Sequence, residues 1–441
     1  LPGGVLAAVA ALMFAIDEAH APAAGWIASR NTLLAVLFAL LALLVHVRAH
    51  TLQRPALRML SASCLGLALS SGEGGVAALA YLVAYALVFE SGPWLTRLRS
   101  VAPQGVVFAG WAIAYAAMGC GMRGTSWYHE PGAPFELLRE GLLDTPLWLL
   151  SLFGPSMVGL SAAFAPSPLR LIALCLIALL LVGLMLGLPR SRENRFFALA
   201  LILCFPALFA TIPQERVTFA ATFAAFGLIA SLLEATRDSP LRALRWYRRG
   251  TLGIHFGIAP LLFMSGLKLS APVEHGAQAL LDAMHDVAHK HVVLVNEPVE
   301  LLPMYTMDMM SDAQGTPRMK SLHALYSGAS QLSVERSAPD ALEIRSEGGW
   351  GRLPIERIFC AKRELPKAGS ERVFSALRVS VLETDPDGLP TRVRFRFPTV
   401  LESPERVWLV WRGTHPTPWQ PPALGERVTL PGQSLFESLA P

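Results

Sequence analysis

DEAHAPAAGWIASRNTLLAVLF, residues 17–38, sets four ionisable side chains between two apolar runs that can each enter a bilayer. Charged groups are costly in hydrocarbon and persist there only when they face water or serve a site, so Asp17, Glu18, His20 and Arg30 mark the polar end of two neighbouring helices. Working outward, apolar segments of roughly 15 to 20 residues recur near 4–19, 31–49, 58–71, 75–90, 104–120, 169–188, 196–212, 217–234 and 251–270. The expected fold is a polytopic α-helical membrane bundle over residues 1–272, followed by a C-terminal extracytoplasmic α+β domain, rich in β, over residues 273–441.

Composition agrees. Hydrophobic residues make up 53% and charged residues 16% of the chain, and the mean hydropathy is +0.44, beyond the usual range of soluble domains. The net charge of +4 is not gathered on one basic face, which argues against a nucleic-acid partner and for membrane lipid. The five cysteines are odd in number, and Cys64, Cys175 and Cys204 sit inside apolar runs as small core residues. Neither a disulfide framework nor zinc-finger spacing emerges. The chain opens on Leu1 and enters an apolar run at once, the expectation for the continuation of a longer protein.

Basic loops at 46–58, 97–99, 190–195 and 237–250 are expected on the cytoplasmic side. An even number of crossings must then lie between Arg99 and Arg190, although three apolar runs occupy that interval. Segment 145–164, with Pro146 at its start and Gly154-Pro155 interrupting it, is expected to be interfacial or re-entrant, leaving about nine crossings. Loops 17–30, 71–75, 121–144 and 213–216 then share the opposite face with everything after residue 272. That face collects Asp17, Glu18, His20, Arg30, Glu73, Arg123, His129, Glu130 and Arg216 as candidate substrate-binding residues, with Tyr128 and Glu215 beside them.

The tail changes character. A helix over 274–291, an apolar strand at 292–296 and a second helix over 299–311 precede alternating strands: QLSVERS, ALEIRS, LRVSVLET, TRVRFRF and RVWLVWR. Asp385-Pro386-Asp387-Gly388 reads as a turn between two of them. Asp282, His285, Asp286 and His289 would share one helical face, yet the Glu of H-E-x-x-H is missing. Lys290 and His291 adjoin it, so the face reads as solvated rather than zinc-binding. Trp408 and Trp411 are expected to face a β-core.

His20, Trp26-Ile27, Arg30, Leu33-Leu34-Ala35 and Leu37-Phe38 resemble the H-x-E-x-x-x-W-I-x-x-R-x-D-L-L-A-x-L-F pattern of bacterial multi-pass membrane proteins of the C-type glycosyltransferase superfamily, the protein O-mannosyltransferases and their tetratricopeptide-containing relatives. Ser71-Gly72-Glu73 is similar to that family's S-K-E, with a hydrophobic segment ending at Glu90 after it. The resemblance covers about the first 100 residues and departs at Pro22, Thr32 and Gly72, which replace a glutamate, an aspartate and a lysine of the family pattern. It implies a bacterial inner-membrane enzyme that transfers a sugar from a polyprenyl-phosphate donor to a hydroxyl or glycan acceptor at the extracytoplasmic face. The catalytic carboxylate would lie upstream of Leu1, and Arg30, Arg123 and His129 would stand near the phosphate. A divalent metal remains open as cofactor.

Two other readings stand beside it. The three lost charges fit a catalytically degenerate protein that binds lipid-linked glycan or scaffolds the tail, and a secondary transporter would need repeats and charges at mid-membrane. Each candidate also has an ordinary structural role: Arg30 as a snorkelling or paired cation, His20 as a helix-end cap, Glu73 as a turn residue and Glu215-Arg216 as a local ion pair.

Overall fold

A computed structural model describes residues 3–26, 29–121, 128–129, 134–156, 166–267, 270–284, 287–298, 319–352, 356, 360 and 364–433. The described residues up to Leu267 pack as one unit and those from Ser270 onward as a second.

The apolar runs of the first unit become helices. These are α1 (Gly3–Ile16), α2 (Ala21–Gly25), α3 (Arg30–Thr51), α4 (Pro55–Ser71), α5 (Ala77–Phe89), α6 (Trp94–Arg99) and α7 (Ala102–Ala117). After them come α8 (Pro134–Phe153), α9 (Pro166–Gly187), α10 (Arg192–Leu208), α11 (Glu215–Ala235), α12 (Arg242–Gly253) and α13 (Ala259–Gly266). Helix α11 is the axis of this unit. Its buried residues, from Thr218 to Leu233, leave no polar stripe, as expected of a helix enclosed on all sides. Helices α1, α8 and α10 pack on it, and the Tyr81 hydroxyl of α5 donates to Ala220 O while accepting from Ala224 N at 3.2 Å. A second core joins α3, α4 and α7 through Ala39, Ala42, Leu65 and Ala68 with Val107, Phe108 and Trp111; the three alanines let α3 and α4 approach closely.

Two helices among the described residues, α3 with 22 residues and α11 with 21, are long and apolar enough to cross a membrane. A third broken span is available if α1 and the segment Glu18–Gly25, bent by 48°, count together. Helices α4, α7 and α10 have 17, 16 and 17 residues, short of the roughly 20 that a straight span needs.

Three segments differ from the sequence expectation. Helix α8 takes in residues 134–144, expected as part of loop 121–144, continues through Pro146 and ends at Phe153, where Gly154-Pro155 stops it; residues 157–165 of the expected interfacial segment lie outside the described residues. The Thr145 hydroxyl donates to Gly141 O at 2.9 Å, supplying a side-chain hydrogen bond beside the proline. The basic stretch 237–250 is not simply a loop, because most of it forms α12. The apolar run expected at 251–270 starts inside that helix, passes through a π turn at Ile254–Ile258 and continues as α13. The wide turn forms just before Pro260, which has no N–H for an ordinary helical bond.

The second unit has three layers. Helix α14 (Ser270–Asp282) lies over a sheet ordered β2-β1-β8-β9. Its strands are β1 (His291–Leu294), β2 (Ser321–Ala324), β8 (Arg406–Arg412) and β9 (His415–Pro418), and β1 runs parallel to both β2 and β8. The third layer is an antiparallel sheet ordered β10-β3-β4-β7-β6-β5. It contains β3 (Leu332–Ala338), β4 (Ala341–Ser346), β5 (Glu371–Val373), β6 (Arg378–Thr384), β7 (Pro390–Arg396) and β10 (Arg427–Leu430). Strands β1 and β8 at the centre of this mixed sheet are covered on both faces, which explains their apolar runs. Val292, Leu294 and Leu409 meet Leu280 of α14, while Val293, Val295 and Val410 meet Val334, Ile344 and Phe395 of the six-stranded sheet. Trp408 and Trp411, three residues apart, therefore enter opposite cores. The expected turn forms at 385–388, with Gly388 at φ +81° and its N–H on Asp385 O at 3.0 Å.

Helix α14 stops at Asp282, earlier than expected, and His289 sits in a turn at φ +61°. Asp282 and His289 thus do not share a helical face; His285, Asp286 and the expected helix at 299–311 lie outside the described residues.

Candidate functional site

Four loops that the sequence places together line one cavity of about 550 Å³ in the first unit. Ser29, Asn31 and Thr32 come from the start of α3, and Glu73 from the 3-10 turn Glu73–Val76. Tyr128 and His129 come from the segment after α7, and Thr211 and Arg216 from the loop that enters α11. The opposite walls are apolar, built by Val36, Trp111, Leu208 and Phe219 among others. A cavity with polar groups at its rim and apolar walls suits an amphipathic ligand.

Local structure positions each polar group. The turn carrying Glu73 lies against α4, because a Cβ at Gly75 would come within 2.5 Å of Ala68 carbonyl atoms; only glycine permits that approach. Glu73 Oε1 accepts from the Tyr115 hydroxyl near the end of α7. The backbone N–H of His129 donates to Ala210 O at 3.0 Å, and Tyr128 forms a β-bridge with Thr211, tying two loops into one rim. His129 Nε2 is buried and has no hydrogen-bond partner among the described residues. Arg216 lies in the first turn of α11, and its Nε donates to Gln214 Oε1 at 3.0 Å, which orients the guanidinium plane. The N-cap residue Gln214 makes no side-chain capping bond to α11, whose first turn carries Glu215 beside Arg216. Val217 N donates to Gln214 O at 3.3 Å, and Arg216 and Val217 bring the partly positive end of the helix to the cavity edge, an arrangement that favours an anion.

The first three ionisable residues of the opening stretch lie outside the cavity lining. Asp17, Glu18 and His20 are buried rather than water-facing. Asp17 caps the turn Glu18–His20 by accepting from Ala19 N at 3.1 Å. Glu18 Oε1 accepts from Ser156 N, and its other oxygen has no partner among the described residues. His20 Nδ1 is 2.6 Å from Phe14 O, which can only accept, so this nitrogen carries the proton. Nε2 lies 2.9 Å from Thr222 Oγ1, whose one proton faces both this nitrogen and Phe219 O at 2.7 Å. The ring also packs edge-on to Phe219 at 3.9 Å. These contacts make His20 the pin that ties the α1–α2 bend to α11. Arg30 is exposed and does not line the cavity; Arg123 and Glu130 lie outside the described residues.

Sequence reading had not selected Asn31, Thr32, Trp111 or Tyr115 as cavity residues. Trp111 and Tyr115, four residues apart on one apolar helix, carried an i, i+4 aromatic signal that equally marks core packing. A second, smaller cavity of about 270 Å³ in the β-rich unit is lined by His323, Ser370 and Arg372 with apolar neighbours. No cluster of three or more metal-ligating side chains is present among the described residues.

In comparisons with known proteins, no family model, curated protein or solved structure matches the chain.

Proposed function

We propose that this chain is a membrane glycosyltransferase-like protein that takes a polyprenyl-phosphate sugar into the α3–α7–α11 cavity and passes the sugar to a hydroxyl or glycan acceptor. The observation that carries the reading is the shared edge of Arg216 and the uncapped N-terminus of α11, beside an apolar wall. The guanidinium and backbone N–H groups would hold the phosphate, the apolar wall would take the first isoprene units, and Glu73, His129, Asn31 and Thr32 would face the sugar. Charge leaving with the lipid phosphate would be stabilised by Arg216 and the helix terminus, where no water need reorganise. In this reading the chain crosses a bacterial inner membrane several times, about nine by hydropathy, with the cavity and the β-rich unit on the extracytoplasmic side.

A second reading, binding of lipid-linked glycan without transfer, is favoured by one observation. Glu73 is the only carboxylate lining the cavity among the described residues, and the Tyr115 hydroxyl already occupies one of its oxygens. Purified chain in detergent distinguishes the outcomes. Retention of a polyprenyl-phosphate hexose, competed by polyprenyl phosphate but not by free hexose, supports the site, and release of hexose onto an acceptor supports transfer. Absence of retention refutes both readings.

A further inference from the structure

Helix α12 divides its side chains between two faces. On the inner face, the Tyr247 hydroxyl donates to Leu180 O of α9 and Arg248 Nε to Leu233 O of α11, each at 3.1 Å. On the outer face, Arg242, Arg245, Trp246 and Arg249 stand at i, i+3, i+4 and i+7, all exposed, and line one shallow depression of about 250 Å³. Trp246 is 68% exposed and Leu241 beside it 60%. The Arg249 guanidinium lies 5.2 Å from the Trp246 ring centroid. Arg245 Nη1 donates to Ser239 O and Pro240 O at 2.9 and 3.0 Å, which holds its side chain toward the start of the helix. Among the described residues no carboxylate lines the depression.

Like charges three and four residues apart on a helix repel, so three arginines on one unopposed face are stable beside an anion. The same face also carries an exposed indole, an amphipathic ring that favours the headgroup layer of a bilayer. The partner must therefore be anionic and have apolar matter directly beside its charge. A free inorganic anion meets only the first condition. We propose that α12 is an interfacial helix whose Arg242, Arg245 and Arg249 hold the headgroup phosphate of an anionic phospholipid while Trp246 enters the headgroup layer. This rests on the membrane-length helices of the same unit and not on sugar transfer.

The test is lipid retention by the purified full chain, read by native mass spectrometry with phosphatidylglycerol or phosphatidylcholine. Wild type retains phosphatidylglycerol preferentially. Arg242→Gln combined with Arg249→Gln weakens that retention about 25-fold, the product of roughly fivefold for each cation near an anionic surface. Arg372→Gln combined with Arg412→Gln removes the same charge from exposed positions of the β-rich unit and leaves retention unchanged. Inorganic phosphate fails to displace the lipid. Equal phosphatidylglycerol retention by wild type and the α12 variant, an equal loss in the β-rich control, or displacement by inorganic phosphate overturns the proposal.

Discussion

Replacing Arg216 tests the cavity reading most directly, because this side chain joins the proposed phosphate position to the N-terminus of α11. A hydrogen bond between a guanidinium and a phosphate oxygen contributes about 1.5–3 kcal/mol when charged and shielded from water. Arg216 is half-buried, so the lower end applies to each of two bonds, and Arg216→Ala should weaken polyprenyl-phosphate sugar binding by about 3 kcal/mol, roughly 150-fold. Arg216→Lys keeps the charge but loses both the second bond and the orientation set by Gln214 at 3.0 Å. It should cost about 1.4 kcal/mol, or roughly tenfold. Arg30→Ala is the informative control: Arg30 carries the sequence resemblance yet is exposed and outside the cavity lining, so affinity should stay within about twofold of wild type. The assay is equilibrium binding to purified protein in detergent, with circular dichroism confirming that each variant folds. Equal affinity of wild type and both Arg216 variants, or a larger loss from Arg30→Ala, would refute the assignment of the phosphate to the α11 terminus.

Three further outcomes are expected. His20→Ala removes a proton donor from Phe14 O and an aromatic contact with Phe219. It should lower the stability of the helical unit by about 2–4 kcal/mol, seen as a lower melting temperature in detergent; an unchanged melt would show that the α1–α2 bend does not need its pin. In the β-rich unit, burial alone would raise the Glu343 carboxyl, but hydrogen bonds from Arg394 and Arg392 outweigh it and hold the group below its ordinary value of 4.5. Because the folded value is the lower one, this stabilisation is present at neutral pH and is lost as pH falls below about 5. Near-UV circular dichroism should follow that loss, and Glu343→Gln should flatten it; an equally steep acid transition in the variant would count against Glu343. For the topology, reporter fusions after Arg192 should behave as cytoplasmic and those after Pro272 as extracytoplasmic, and the opposite result at either point would separate the candidate loops.

Much of the secondary structure was legible from periodicity. The nine apolar runs all lie on helices, and all five alternating stretches of the tail are strands, because burial of one face or of a whole helix imprints a period on the sequence. The same regularity misled at 134–144, where α8 begins ahead of the apolar run, and at 237–250, where the count of arginines concealed an amphipathic helix. Helix α14 ends at Asp282 although Met284 and Val287 carry the apolar face on into the same core.

Sequence alone determined the division into an apolar helical part and an alternating β-rich part, together with the grouping of several polar loops, since these depend on composition and order along the chain. Tertiary structure decided which members of that polar set meet. Asp17, Glu18 and His20 pack at the α1–α2 bend, with His20 bonded to α11 at Thr222, whereas Glu73, His129 and Arg216 line the cavity with Tyr115 and Asn31. That choice turns on how α11 is enclosed by its neighbours: Phe219 presents its ring to His20 and also forms part of the cavity wall. Contacts between residues some 200 positions apart, such as His20 with Thr222, depend on helix packing and leave no period in the chain.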